Sequence, residues 1–131
     1  MTTELTMLAL SVALLLILIV VQASVGVRAK GLAPLAGSRD EVDPATGFHA
    51  HMLRVVDNHR EGLTVFAPLI LIAAASGIST PMTVLGSQLF FASRLVHAGL
   101  YVLGVPMIRP LVWAVGLTGI VMILLALFHL A

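Results

Sequence analysis

Four apolar runs, at 5–27, 62–78, 83–103 and 111–130, take up most of this 131-residue chain. Each is near the roughly 20 residues that carry an α-helix across about 30 Å of hydrocarbon. A chain so divided has little left with which to cover a water-facing surface. It is 60% hydrophobic and 10% charged, with a mean hydropathy of +1.10, where ordinary soluble domains run at roughly 45–50% and about 25%. Lipid is therefore the expected solvent. The runs predict a single all-α integral membrane domain, a four-transmembrane-helix bundle with helices near 5–28, 45–78, 81–103 and 107–130. A β-barrel is disfavoured, because runs such as Leu14-Leu15-Leu16-Ile17-Leu18 lack the alternation of lipid-facing and lumen-facing residues. The first run reads as a membrane helix and not as a cleaved signal: Glu4 precedes it without any Lys or Arg, and it exceeds the usual apolar core of about 7–15 residues.

Charge and sulfur narrow the chemistry. A net charge of +1 lacks the clustered Lys and Arg of a nucleic-acid binder, and zero Cys leaves no disulfide, thiolate metal site or internal thiol nucleophile. Any sulfur nucleophile must come from outside. His49, His51 and His59 do not form an HExxH-like set, so no metal site is expected.

The long connection, 29–44, holds Lys30, Pro34, Gly37, Arg39, Asp40, Glu41 and Asp43. Asp43-Pro44 reads as an N-cap followed by a first-turn proline, which would start the second helix near Ala45. From there to Ile78 is about 50 Å of helix, so its first half stands at or beyond the membrane face. Pro68 lies inside this helix, as membrane helices tolerate. Ser79-Thr80-Pro81 and Gly104-Val105-Pro106 make tight second and third turns. Arg28, Lys30 and Arg39 flank the first loop and Arg109 the third, so the positive-inside bias makes loops one and three cytoplasmic and puts both termini on the other side. The expected location is a bacterial inner membrane. Small-residue patches, among them Ala98-Gly99 and Gly116 with Gly119, suit close helix approach within the chain or between subunits.

Two polar stripes interrupt the oil. Arg54, Asn58 and Glu61 share one face of the second helix, and Arg94, His97 and Tyr101 share one face of the third. Counted away from the second turn, Glu61 and His97 both lie about 25 Å along, and Asn58 and Tyr101 about 30 Å. Counting along the other helices puts Arg109 and Arg28 at about 32 and 35 Å, in the same layer near the cytoplasmic face. Charged groups at membrane depth cost from about 2.5 kcal/mol upward and tend to face function. Arginines snorkelling to lipid phosphates would account for the cations alone. Asn58, Glu61 and Tyr101 instead offer directional hydrogen bonds at the same level, which points to a site for a small polyanion whose carboxylates meet arginine forks while Glu61 accepts from an ammonium group. His97 reads as an interhelical hydrogen-bonder, and Trp113, Tyr101 and Phe128 suit interfacial belts.

The segment from Arg54 to Phe66 resembles the Arg-x-x-x-Asn-x-x-Glu signature of the MAPEG superfamily, the membrane-associated proteins in eicosanoid and glutathione metabolism. Arg94-Leu95-Val96-His97-Ala98-Gly99-Leu100-Tyr101 and then Arg109 resemble that family's third-helix motif and the arginine opening its fourth helix. The resemblance, closest in kind to microsomal glutathione transferases, implies a homotrimer that binds glutathione between subunits and meets a lipophilic small-molecule substrate from the membrane lipid. It implies that Arg28, Arg54, Asn58, Glu61, Arg94, His97 and Tyr101 hold glutathione, or a similar low-molecular-weight thiol, and that Arg109 is catalytic beside the sulfur. Asp57 stands where several members carry a basic or neutral residue, and Pro110 and Trp113 replace polar positions that lie near the substrate in the family's microsomal prostaglandin E synthase. The implied activity is a transferase or peroxidase conjugating a thiolate to lipophilic electrophiles; the alternative is a nonenzymatic scaffold or regulator with the same fold. A transporter is disfavoured because the polar layer stops at one face.

Overall fold

Glycine, proline and hydroxyl caps set the helix ends of this chain. The computed structural model describes residues 1–38, 40 and 42–129. These form α1 (Thr3–Lys30), α2 (Leu32–Ala36), α3 (Gly47–Ala75), α4 (Pro81–Leu103) and α5 (Arg109–Leu127), with no strand among the described residues. Arg39 and Glu41 of the long connection, and the expected end of the last helix at 130, lie outside the described residues.

Each apolar run is helical, and the differences are at the ends. Thr2 caps α1 by accepting the Leu5 amide, so the helix starts ahead of its apolar run. The one-turn helix α2 lies in the connection, where no helix is expected from the sequence. Helix α3 begins at Gly47 with Thr46 at the cap position, not at Ala45 behind Asp43-Pro44. The Lys30 ammonium donates to the Pro44 carbonyl at 3.5 Å, which holds that dipeptide in the connection. The C-terminal end also comes earlier than Ile78. Gly77, at φ +67°, lets the Ile78 amide reach back to Ala73 O (2.9 Å) while its own reaches Ala74 O (3.2 Å), the paired closure that satisfies a helix's last carbonyls. At α4, Thr80 and Thr83 each accept the other's backbone N–H, with Pro81 in the first turn. Helix α5 starts at Arg109, not 107.

Helix α1 packs on α3 and α4, α3 on α4 and α5, and α4 along α5. One core centres on Phe66 and Phe90, stacked with centroids 4.0 Å apart, with Leu8, Leu63, Ile70 and Ile123 around them. A second joins Leu18, Met52, Val55, Val56 and Ala98. Two polar ties fix α1. His59 bonds through Nε2 to the Ser11 carbonyl at 2.8 Å. Glu4, 2% exposed, accepts from the Ser79 and Thr83 hydroxyls at 2.9 and 2.5 Å. Its carboxylate thereby anchors α1 beside the N-terminus of α4, where the helix dipole favours negative charge. From sequence, Glu4 spoke only against a signal peptide.

Among the described residues, two helices, α1 and α5, are long and apolar enough throughout to cross a membrane. The polar residues of α3 and α4 dilute theirs.

Backbone contact sets the α4–α5 spacing. A Cβ on Gly86 would lie 2.6 Å from the Gly119 carbonyl, and one on Gly119 would collide with the Gly86 carbonyl. Gly86→Ala and Gly119→Ala are expected to destabilise by about 1–3 kcal/mol, the range for overpacking a closed core. Thermal unfolding in detergent should show lower midpoints for both. Gly99→Ala, which meets nothing within 4 Å, should show none, and equal midpoints for all three would refute the close approach.

Candidate functional site

The antiparallel run of α3 and α4 away from the Ser79 turn brings their polar stripes level. Arg94 and Asn58 meet there directly: an Nη1 hydrogen of Arg94 is donated to Asn58 Oδ1. The Arg94 side chain lies among helices, 5% exposed, with its guanidinium carbon 5.9 Å from the centroid of the Phe90 ring. Gly116 of α5 makes the room, since a Cβ there would fall 3.5 Å from an Nη2 that now has that space and 2.5 Å from the Ser93 hydroxyl. Arg94 Nε is buried with no hydrogen-bond partner. The ion pair found among the described residues is elsewhere, between the exposed Asp57 and Arg60 at 3.6 Å. Arg94 is thus a buried cation whose one side-chain hydrogen-bond partner among the described residues is a neutral amide, an arrangement with an uncompensated desolvation cost.

Two cavities open from this point. The smaller, about 110 Å³, is bounded by Asn58, Glu61, Arg94 and Trp113, with Phe90 and Ile120 on its apolar side. Glu61 is exposed at its edge. The larger, about 410 Å³, is bounded by His97, Tyr101, Pro106, Arg109 and Pro110, and again by Asn58 and Trp113. Within it the Arg109 guanidinium sits 4.4 Å over the Tyr101 ring, a cation–π contact that orients the fork. Tyr101 in turn lies 5.0 Å from the His97 ring, tilted by 56°.

Six of the eight residues singled out from sequence therefore line these two adjacent spaces: Asn58, Glu61, Arg94, His97, Tyr101 and Arg109. Arg28 and Arg54 do not. Both are exposed and line neither cavity. Arg28 is in the last turn of α1, where a cation complements the helix dipole. Conversely, Gly116 read from sequence as a packing residue, and Trp113 as an interfacial residue or a departure near a substrate. Both border the site. The spacing of Trp113 one turn after Arg109 on α5 places them on one helix face, a signal the sequence did contain. Among the described residues, no group of three or more His, Cys, Asp or Glu is placed to hold a metal ion.

A sequence model of the MAPEG family matches residues 5–129, nearly the whole chain. No curated protein and no solved structure matches the chain significantly.

Proposed function

The chain belongs to the MAPEG family, and from that premise we propose that it is a glutathione-dependent membrane transferase or peroxidase acting on lipophilic electrophiles. The observation that carries the reading is Arg94: a buried guanidinium without a carboxylate partner among the described residues, beside an amide and a cavity edged by Glu61. Glutathione carries two carboxylates and one amine, and that donor and acceptor set fits it. Arg94 and the Asn58 amide take a carboxylate, and Glu61 accepts from the ammonium group. When bound, glutathione supplies the nucleophilic sulfur. A free thiol, with a pKa of about 8.5, is mostly protonated at neutral pH. Arg109, aimed by the Tyr101 ring into the larger cavity, favours the charged form of a sulfur placed there. His97 and Tyr101 close the wall behind it.

The functional unit is a homotrimer with its site between subunits. Arg28 and Arg54 support this, because both match the family's glutathione-holding positions yet face out of their own chain. A neighbouring subunit is what brings them to a site. The chain crosses the bilayer four times, with the polar layer at the cytoplasmic face of a bacterial inner membrane. An impermeant thiol reagent is expected to label Thr3→Cys and Ser38→Cys from opposite sides; labelling of both from one side would end the four-span reading.

The direct test is thermal stabilisation of detergent-solubilised protein. Glutathione at about 100 times its dissociation constant is expected to stabilise by about 2.7 kcal/mol, with S-methylglutathione comparable and glutamate inert. Asn58→Ala and Glu61→Ala should weaken the effect, each by roughly 1–3 kcal/mol. Stabilisation without conjugation of any electrophile would make the protein a nonenzymatic binder, and no stabilisation would remove glutathione from the reading.

A further inference from the structure

The polar stripes of α3 and α4 face each other across a lightly packed seam. Helix α3 meets α4 and α5 far less extensively than it meets α1, while α4 runs along α5. The stacked Phe66 and Phe90 rings set the distance across that seam, but flat rings slide over one another and hold no rotation. What aims Asn58 and Glu61 at Arg94 therefore acts from the α1 side of α3. There Met52, Val55, Val56 and Leu63 are buried, and His59 is the polar residue among them, 3% exposed. Apolar packing has no direction. A hydrogen bond has one, and His59 Nε2 lies 2.8 Å from the Ser11 carbonyl of α1. Since a carbonyl oxygen only accepts, that nitrogen carries the hydrogen and donates it. We infer that His59 is a positioning residue of the glutathione site: its bond to the Ser11 carbonyl fixes the rotation of α3 about its axis and holds Asn58 and Glu61 opposite Arg94. The inference rests on the glutathione reading and adds to it a residue that lines neither cavity.

Helix geometry passes the constraint on. Asn58 precedes His59 by one residue, about 100° around the helix, and Glu61 follows it by two. With the His59 ring held, both directions are held. A rotation of about 20° moves a side-chain tip, at about 5–6 Å from the axis, by about 2 Å. That is enough to break the hydrogen bond from Arg94 to Asn58. Helix α1 carries the constraint across to α4. Two turns before Ser11, on the same face, Glu4 accepts from Ser79 and from Thr83 of α4, so directional bonds link α3 to α1 and α1 to α4. Stability alone does not account for a histidine here. Its Nδ1 is buried without a hydrogen-bond partner among the described residues, which is a cost, and the Ser11 carbonyl has a helical donor of its own. A leucine would fill the same face without that cost. What the histidine adds is a defined direction, the use of buried polar groups that fixes one arrangement among several.

Two measurements on detergent-solubilised protein test the role. The first reads glutathione affinity from thermal shifts against glutathione concentration. His59→Leu is expected to leave the ligand-free midpoint near wild type and to raise the dissociation constant by about 10- to 100-fold, the scale of loss when groups are misplaced by about 1 Å. His59→Gln, whose amide nitrogen reaches where Nε2 stood, should recover most of the affinity. His59→Asn, one methylene shorter, should not. A histidine needed only for the fold would give affinities that track the midpoints in all three. Wild-type affinity in His59→Leu overturns the inference and, if that variant does not fold, so do equal affinities in His59→Gln and His59→Asn. The second measurement needs no glutathione. With His59 in place, Asn58→Leu is expected to restore the midpoint lost in Arg94→Met, so the two substitutions are coupled. In a His59→Leu background their midpoint shifts should simply add. Coupling of undiminished size there overturns the inference. If glutathione fails to stabilise the wild type, the glutathione reading falls, while the coupling still decides whether His59 holds Asn58 against Arg94.

Discussion

Alanine at Arg109 is expected to slow conjugation of glutathione to a model electrophile by roughly 10- to 1000-fold, the loss seen when one preorganised electrostatic donor is removed from a transition state. The reason is positional. Arg109 opens α5, is held 4.4 Å over the Tyr101 ring and borders the larger cavity, so its charge stands where a sulfur beside the polar stripe gains negative character. Because the guanidinium acts on the charged sulfur more than on the neutral thiol, affinity for glutathione at low pH should stay near wild type. The defect should emerge as pH rises through the thiol's ionisation. Arg109→Lys should recover part of the rate, since an ammonium keeps both the charge and its attraction to the Tyr101 face but loses the planar fork. The measurement is the ultraviolet absorbance of bound thiolate against pH, taken alongside the rate. A thiol titration and a rate both unchanged in Arg109→Ala would move the thiolate-stabilising role to another residue.

A second large effect concerns Arg94 and separates affinity from stability. Removing a buried charge that holds a ligand's carboxylate commonly costs about 2–5 kcal/mol of binding, which is roughly a 30-fold to several-thousand-fold loss. At a glutathione concentration about 100 times the wild-type dissociation constant, Arg94→Met is therefore expected to lose at least about two-thirds of the stabilisation that glutathione gives the wild type. A structural arginine would take the fold with it. This one has no carboxylate partner among the described residues and one neutral acceptor, so methionine, of similar length and without a desolvation cost, should leave the ligand-free protein nearly as stable. The residual loss is the Asn58 carbonyl oxygen left without its donor, about 1–3 kcal/mol. The double variant Arg94→Met, Asn58→Leu should regain it. Thermal unfolding with and without glutathione reads both quantities at once. Collapse of the ligand-free protein in the single and the double variant would make Arg94 part of the scaffold and remove the observation on which the binding site stands.

The difference between Arg94 and Arg54 shows where the sequence stopped being informative. Both are arginines at the head of a helical stripe, both match a family motif, and spacing treats them alike. Yet Arg94 is buried against Asn58 while Arg54 is exposed and borders neither cavity. The rotation of each helix about its axis separates them, and no local signal encodes that rotation. Glu4 makes the same point at the other end of the bundle, where its partners Ser79 and Thr83 lie far away in sequence.

Helix positions were legible because hydropathy, caps and breakers act over a few neighbouring residues. Gly77 and Gly104 close helices through the left-handed backbone that glycine adopts freely, and Pro81 opens one. The two polar stripes were legible because a helix repeats every 3.6 residues, which fixes the residues that share a face. Their common level followed from the rise per residue counted from a short turn. By itself, then, the sequence determined where the four long helices run, which faces are polar, and the charge inventory they present. The tertiary structure decided which of those faces meet. Gly86 and Gly119 bring α4 and α5 to backbone contact, Gly116 leaves the space that Arg94 fills, and Trp113 comes to border two cavities at once. Those outcomes depend on helix separation and rotation, which are set by packing summed over the whole bundle and so are written in no single segment.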